Sequence, residues 1–164
     1  MPMHFRFDTK NLFAGLETID KAALGCLAMG VYDGAAIFAN AVRTAVNNIK
    51  TSPNNIPGDR HAARLALPEE KAALQSAGVG ISRFRKRGTS IETIIGHTTD
   101  YVMIRTRRVP IPLLANAINS GTSFMHGQGV YRKAFTKARQ TAVKAIESKA
   151  VEELEKIGKD AFNE

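Results

Sequence analysis

The sequence predicts an α+β domain: a small antiparallel β-sheet packed with two long helices, one N-terminal and one C-terminal, plus an extended Pro-rich arm. Three observations carry this. Apolar residues recur at helical spacing near both ends of the chain, at Leu12, Leu16, Ile19, Ala23 and Leu27 and again at Tyr131, Phe135, Ala138, Ala142 and Ile146. From Val79 the period changes to two. Finally, Val109-Pro110-Ile111-Pro112 places two prolines where a central strand would need ladder donors.

The elements follow in order. Phe5-Arg6-Phe7-Asp8 alternates as a short strand does, and Asp8 or Thr9 is placed to cap the helix behind it. The helical pattern continues through Ile37, Ala41 and Ala45 and ends before Asn47-Asn48. Gly30 and Gly34 lie one turn apart within it and leave room for another element to approach the backbone, as soluble cores use such pairs. Residues 47–59 read as loop, and the segment 47–67 as flexible or ordered by assembly. Pro68-Glu69-Glu70 opens a short helix to about Ser76, with proline in the first turn and acids at the positive dipole end, and Gly78 closes it.

Val79, Ile81 and Phe84 then lead to the basic break Arg85-Lys86-Arg87-Gly88, and Ile91, Thr93 and Ile95 alternate up to Gly96. Tyr101, Met103 and Ile104 form a third apolar stretch. The arm covers 105–118, with a short apolar run from Leu113 to Ile118. After Gly127-Gln128-Gly129 the second long helix runs to about Ile157, its other face filled by Lys and Glu.

Composition bounds the function. The 164 residues, 44% hydrophobic, suit a single domain, 1–164, with a real core. One cysteine, Cys26, excludes an intrachain disulfide framework. The first residues show no apolar signal region, and the run Ala22 to Tyr32 is shorter than the ~20 residues of a membrane span, so a soluble, intracellularly made protein with no membrane partner is expected. His4, His61, His97 and His126 are dispersed, no serine sits in Gly-x-Ser-x-Gly, and Gly78-Val79-Gly80 is half a dinucleotide fingerprint that leads into a strand. No catalytic, cofactor-binding or metal residue is therefore named, and a small enzyme is the least favoured class.

The net charge of +8 is concentrated: residues 51–119 hold ten basic and five acidic side chains. Within them Arg83, Arg85, Lys86 and Arg87 form one cluster, and Arg105, Arg107 and Arg108 another. Such arginines make charge-assisted contacts to phosphates, and Phe84 between them has a face on which a base stacks. Solvated hairpin tips, or contact with an acidic protein partner, account for the same residues. Non-specific DNA contact stays open beside them. The Val109–Leu114 stretch carries Val109, Ile111, Leu113 and Leu114, apolar residues hard to justify in a free loop; an assembly contact explains them.

The order of parts resembles that of one known family. Leu74-Gln75-Ser76 before Val79–Phe84 looks like the family's segment leading into a hairpin, and Ile91–Gly96 like the return strand. Asn119-Ser120-Gly121-Thr122-Ser123-Phe124-Met125 is similar to its Glu-Phe-Gly-Thr-Ser turn, with Gly121 and Thr122 matching. Val130-Tyr131-Arg132-Lys133-Ala134-Phe135 resembles the start of its last helix, Pro-Phe-Leu-Arg-Pro-Ala-Phe, with Arg132, Ala134 and Phe135 matching. The chain departs from the pattern at Asn119 or Ser120, where the family has an acid, at Gly129 or Val130, where it has proline, and at Thr106–Leu114, which looks inserted.

The family so resembled is the small neck or tail-completion (head–tail joining, gene-product-ten-like) proteins of long-tailed bacteriophages, and the resemblance implies a structural virion protein without cofactor or enzymatic activity. It implies a homo-oligomeric ring, six-fold order being one option, that joins or completes the tail at the head–tail neck. Its partners would be head-closure and tail terminator or tube proteins, with non-specific contact to packaged DNA. It would reside in the host cytoplasm during assembly and then in the virion. Phe124 and Tyr131 join the four residues of the arm as interface candidates. A tail terminator or tail-tube-type protein, and a basic nucleic-acid-binding module, are the alternatives.

Overall fold

The computed structural model describes residues 3–7, 20–52, 64–88 and 90–162, with side chains over 23–52, 64–88 and 90–157. The elements are β1 (Met3–Phe7), α1 (Asp20–Asn47), α2 (Pro68–Ser76), β2 (Gly80–Ile81), β3 (Arg85–Arg87), β4 (Ser90–Gly96), β5 (Tyr101–Ile104), β6 (Arg107–Pro110), α3 (Ile111–Ser120) and α4 (Val130–Phe162). The class is α+β, with two long helices and two small antiparallel sheets. The expected cap at Asp8 or Thr9, the positions Leu12, Leu16 and Ile19, and most of the 47–67 loop lie outside the described residues.

The chain forms two compact units, each assembled from separated segments. The first takes residues 39–80 and 96–137, the second the described parts of 3–38, 81–95 and 138–164.

In the second unit β4 is central. It pairs antiparallel with β1, from Met3 opposite Ile95 to Phe7 opposite Ile91, and with β3, where Arg85 faces Glu92 and Arg87 faces Ser90. The sheet order is β1-β4-β2. Ser82 extends the pairing beside β4: its N–H donates to the Ile94 carbonyl (2.8 Å), its Oγ accepts from the Ile94 N–H (2.9 Å), and Thr93 Oγ1 donates to the Ser82 carbonyl (2.9 Å). The alternation of Ile91, Thr93 and Ile95 is real burial of one strand face. Leu27, Val31, Ile91, Ile146 and Ala150 form a core here. Gly30 and Gly34 are where α1 and α4 meet most closely: a Cβ on Gly30 would lie 2.6 Å from the Ile146 carbonyl oxygen, and one on Gly34 3.2 Å from that of Ala142.

By length and composition α1 also corrects the reading of Ala22 to Tyr32 as too short for a membrane span. Ala23–Asn47 is 25 residues long, and its most apolar 18-residue stretch has mean hydropathy 1.3, enough to cross a membrane by length and composition; half of that stretch is buried inside the fold.

In the first unit the sequence signals at Pro68 hold. Proline occupies the first turn of α2, and the Glu70 carboxylate accepts the Leu67 N–H (2.8 Å), one of the orphan donors of a helix start. Gly78, at φ 62°, follows its end.

The arm expected over 105–118 is a hairpin followed by a helix. β5 and β6 pair from Tyr101 opposite Pro110 to Ile104 opposite Arg107, and α3 begins directly at Ile111. The prolines explain both. Pro110 takes the last position of a two-stranded sheet, and Pro112 sits in the first turn of α3, where a helix has no use for the N–H that proline lacks. Ile111, Leu114, Ala115 and Ile118 then repeat at i, i+3, i+4 and i+7 and bury one face.

Candidate functional site

The Gly-Thr-Ser turn is tied on both sides by hydrogen bonds. Gly121, at φ 85°, ends α3 in a conformation open to glycine, and its N–H donates to the Ala117 carbonyl (2.9 Å). Thr122 N–H donates to the Met125 carbonyl (2.9 Å), and Thr122 Oγ1 accepts the Phe124 N–H (3.2 Å). On the other side Arg64 N–H donates to the Phe124 carbonyl and His126 N–H to the Arg64 carbonyl, each at 2.9 Å. The Arg64 guanidinium is itself held by Glu70 through two N–H donors. Burial works to raise the Glu70 pKa, but the Arg64 guanidinium and the Leu67 N–H outweigh it and hold the carboxyl below its ordinary 4.5.

A second tie fixes the start of α4. Asn119 Oδ1 accepts the Tyr131 N–H (3.1 Å), capping the helix. Tyr131 is buried, and its hydroxyl lies 2.9 Å from His97 Nε2, while His97 Nδ1 lies 2.8 Å from the Gly78 carbonyl. A carbonyl only accepts, so Nδ1 carries the proton and Nε2 accepts from the tyrosine hydroxyl. Burial lowers the His97 pKa and raises that of Tyr131, so both groups are neutral near pH 7. The pair acts as a clamp between the loop after β4 and the start of α4.

These bonds place the expected interface residues. Ile111, Leu114 and Tyr131 belong to the interior of the first unit, which corrects their assignment as surface contacts: the apolar face of α3 and the start of α4 require them for packing. Val109 is half-buried opposite Val102. Leu113 and Phe124 are exposed, at 64% and 73%. Two residues not named as interface candidates from the sequence, Tyr101 and Met103, are likewise exposed, at 48% and 65%. Both lie on the outer face of β5, where the alternation with half-buried Val102 and Ile104 is the signal that identifies them.

The basic residues divide between the units. Arg83, Arg85, Lys86 and Arg87 are exposed in the second, where Arg87 approaches Glu92 at 3.6 Å. Phe84 meets Tyr32 edge-to-face with centroids 6.1 Å apart. Arg105, Arg107 and Arg108 belong to the hairpin of the first unit. Arg105, at φ 56° in the turn, pairs with Glu69 (3.0 Å), and the Arg108 guanidinium lies 4.0 Å over the Tyr101 ring. Among the described residues no group of three or more His, Cys, Asp or Glu side chains is placed to hold a metal ion.

The chain matches no protein-family model, no curated protein and no solved structure.

Proposed function

We propose that this protein is a structural component of a tailed-phage virion, forming a homo-oligomeric ring at the head–tail neck that joins or completes the tail. The observation that carries the reading is the set of large apolar side chains left exposed on regular, tied-down structure: Tyr101 and Met103 on β5, Leu113 on α3 and Phe124 in the turn held by Arg64. Apolar groups fixed in place lose little entropy when a partner covers them, which suits association between copies. The arginines beside them on the hairpin supply a charged rim that selects partners. Head-closure and tail terminator or tube proteins are the neighbours this role implies, with assembly in the host cytoplasm before incorporation into the virion. A tail terminator or tube-type role uses the same surface.

The test is native mass spectrometry with negative-stain imaging of the full chain and of Met103→Glu and Leu113→Glu. Closed rings are expected for the unaltered protein, and smaller species with unchanged melting for the variants. A protein that stays monomeric alone and with its virion neighbours refutes the proposal.

A second reading, a basic nucleic-acid-binding module, draws on the exposed Arg83, Arg85 and Lys86. It predicts duplex binding that weakens steeply with salt and is lost when these three are neutralised together.

A further inference from the structure

Between the C-terminal half of α1 and the first two turns of α4, wholly inside the first unit, lies a cavity of about 540 Å³. Its lining has two characters. Ala41, Ala45 and Ala134 give it an apolar wall, whereas Lys50, Lys133 and Lys137 bring three positive charges, and among the described residues no carboxylate lines it. The volume is that of a small-molecule site, far larger than an inorganic ion requires.

Two further features point to a negatively charged occupant. α4 is charged against its own dipole. Its first turn holds no acid, and the sequence from Val130 to Ile146 holds none, while Arg132, Lys133, Lys137, Arg139 and Lys144 fall in that stretch. The acids Glu147, Glu152, Glu153, Glu155 and Asp160 come only in the second half. A helix chosen for stability places these charges the other way round, with carboxylates at the N-terminal end. The cations at the cavity therefore repel one another and the helix end together, and among the described residues no acidic side chain of the cavity offsets them. Local conflict of this kind is where function overrides stability.

The cavity is also anchored. The Gln128 side chain accepts the Lys50 N–H at Oε1 and donates from Nε2 to the Lys50 carbonyl, both at 2.9 Å, as a neighbouring strand would. Lys133 Nζ donates to the Gln128 carbonyl (2.9 Å), which positions that ammonium and leaves two of its three donors free for a ligand. Two of the three lysines are thus tied to one residue.

We propose that this cavity binds a phosphate-bearing ligand with at least two negative charges and an organic part of about nucleoside size, the phosphates on the lysines and the organic part against the alanines. Three ammonium groups ask for more charge than a single carboxylate carries, and lysine binds phosphate as a point charge without needing a planar partner. The source is a free nucleotide or a nucleic-acid strand, and the site is independent of the assembly reading.

Calorimetric titration of the full-length protein with a deoxynucleoside diphosphate, a short single-stranded oligonucleotide and a poly-glutamate peptide tests this. Each is run against the unaltered chain, the triple variant Lys50→Gln/Lys133→Gln/Lys137→Gln, and Lys144→Gln, whose lysine is exposed outside the cavity. The nucleoside diphosphate or the oligonucleotide is expected to bind, with affinity reduced about tenfold or more in the triple variant and unchanged in Lys144→Gln. Loss of nucleotide binding assigns a free nucleotide, and loss of oligonucleotide binding alone assigns a strand. Without ligand the triple variant should melt at or above the parent temperature, because repulsion is relieved; a merely structural role for the lysines would lower it. No binding of either phosphate probe, equal binding by parent and triple variant, or binding of poly-glutamate alone overturns the proposal.

Discussion

Replacing Gly30 by alanine tests the packing of α1 against α4 at its tightest point. The new Cβ would sit 2.6 Å from the Ile146 carbonyl oxygen, about 0.8 Å inside ordinary contact at 3.4 Å. The obstacle is backbone in the middle of a helix, so no rotamer change relieves it and the two helices must part. Because the obstacle is backbone, overpacking here falls at the upper end of its range, roughly 2–3 kcal/mol, against a gain of about 1 kcal/mol from removing a mid-helix glycine. The expected outcome is a loss of about 1–2 kcal/mol, or roughly 2–6 °C in Tm for a chain of this size. Two companions make the reasoning strict. Gly25→Ala meets nothing within 4 Å and should gain about 1 kcal/mol from helix propensity alone. Gly34→Ala is opposed chiefly by the Ile146 side chain, at Cγ1 (2.5 Å) and Cδ1 (2.6 Å), so its penalty should shrink when Ile146→Ala is added. In a double-mutant cycle by urea unfolding, Gly34 and Ile146 should couple by about 0.5 kcal/mol or more, and Gly30 with the Ile146 side chain by less. A Gly30→Ala protein as stable as its parent, or one rescued by trimming Ile146, refutes this account.

Two further predictions concern titration and ion pairing. His97 has a folded pKa below its ordinary 6.5, so its contribution is complete above that value and is lost as the pH falls from there through the lowered folded pKa. Urea midpoints should drop as the pH falls below about 7 in the parent and drop less in His97→Phe, while Tyr131→Phe should cost about 1 kcal/mol at neutral pH; equal slopes in parent and His97→Phe would refute the clamp. Glu70, held below its ordinary 4.5, contributes stability above that pH and loses it as the pH falls through the folded value. Glu70→Ala should cost about 2–3 kcal/mol by thermal unfolding and Glu70→Gln less, since the amide still accepts the Leu67 N–H; an Ala variant no less stable than Gln contradicts the capping role.

Local signals carried the sequence reading where one side of an element decides its burial. Ile91, Thr93 and Ile95 alternate in the sequence and in the fold, and Pro68-Glu69-Glu70 starts a helix because proline and acids suit the same turn. Pro110 and Pro112 misled for the same chemical reason: a residue without an N–H suits an extended arm, the last position of an edge strand, and the first helical turn alike. The spacing of Ile111, Leu114, Ala115 and Ile118 was the signal that separates them. The His97–Tyr131 clamp joins residues 34 positions apart and had no local signature. The exposed face of β5 was hidden because Tyr101 and Met103 read as one apolar run with Ile104, and only pairing with β6 shows which side faces outward.

The interleaving of the two units bears on how the chain becomes structured during synthesis. Each unit needs segments from widely separated parts of the chain, and the core of the second includes Ile146 and Ala150 beside Leu27 and Val31. On the ribosome, α1 emerges with its apolar face uncovered long before the residues that cover it are made. Its most hydrophobic stretch, Ala23–Asn47, is thus the part of the nascent chain in greatest need of shielding. Contacts spanning more than a hundred residues also slow folding after release. No cut of the chain at a single point separates the two units into independently folding halves.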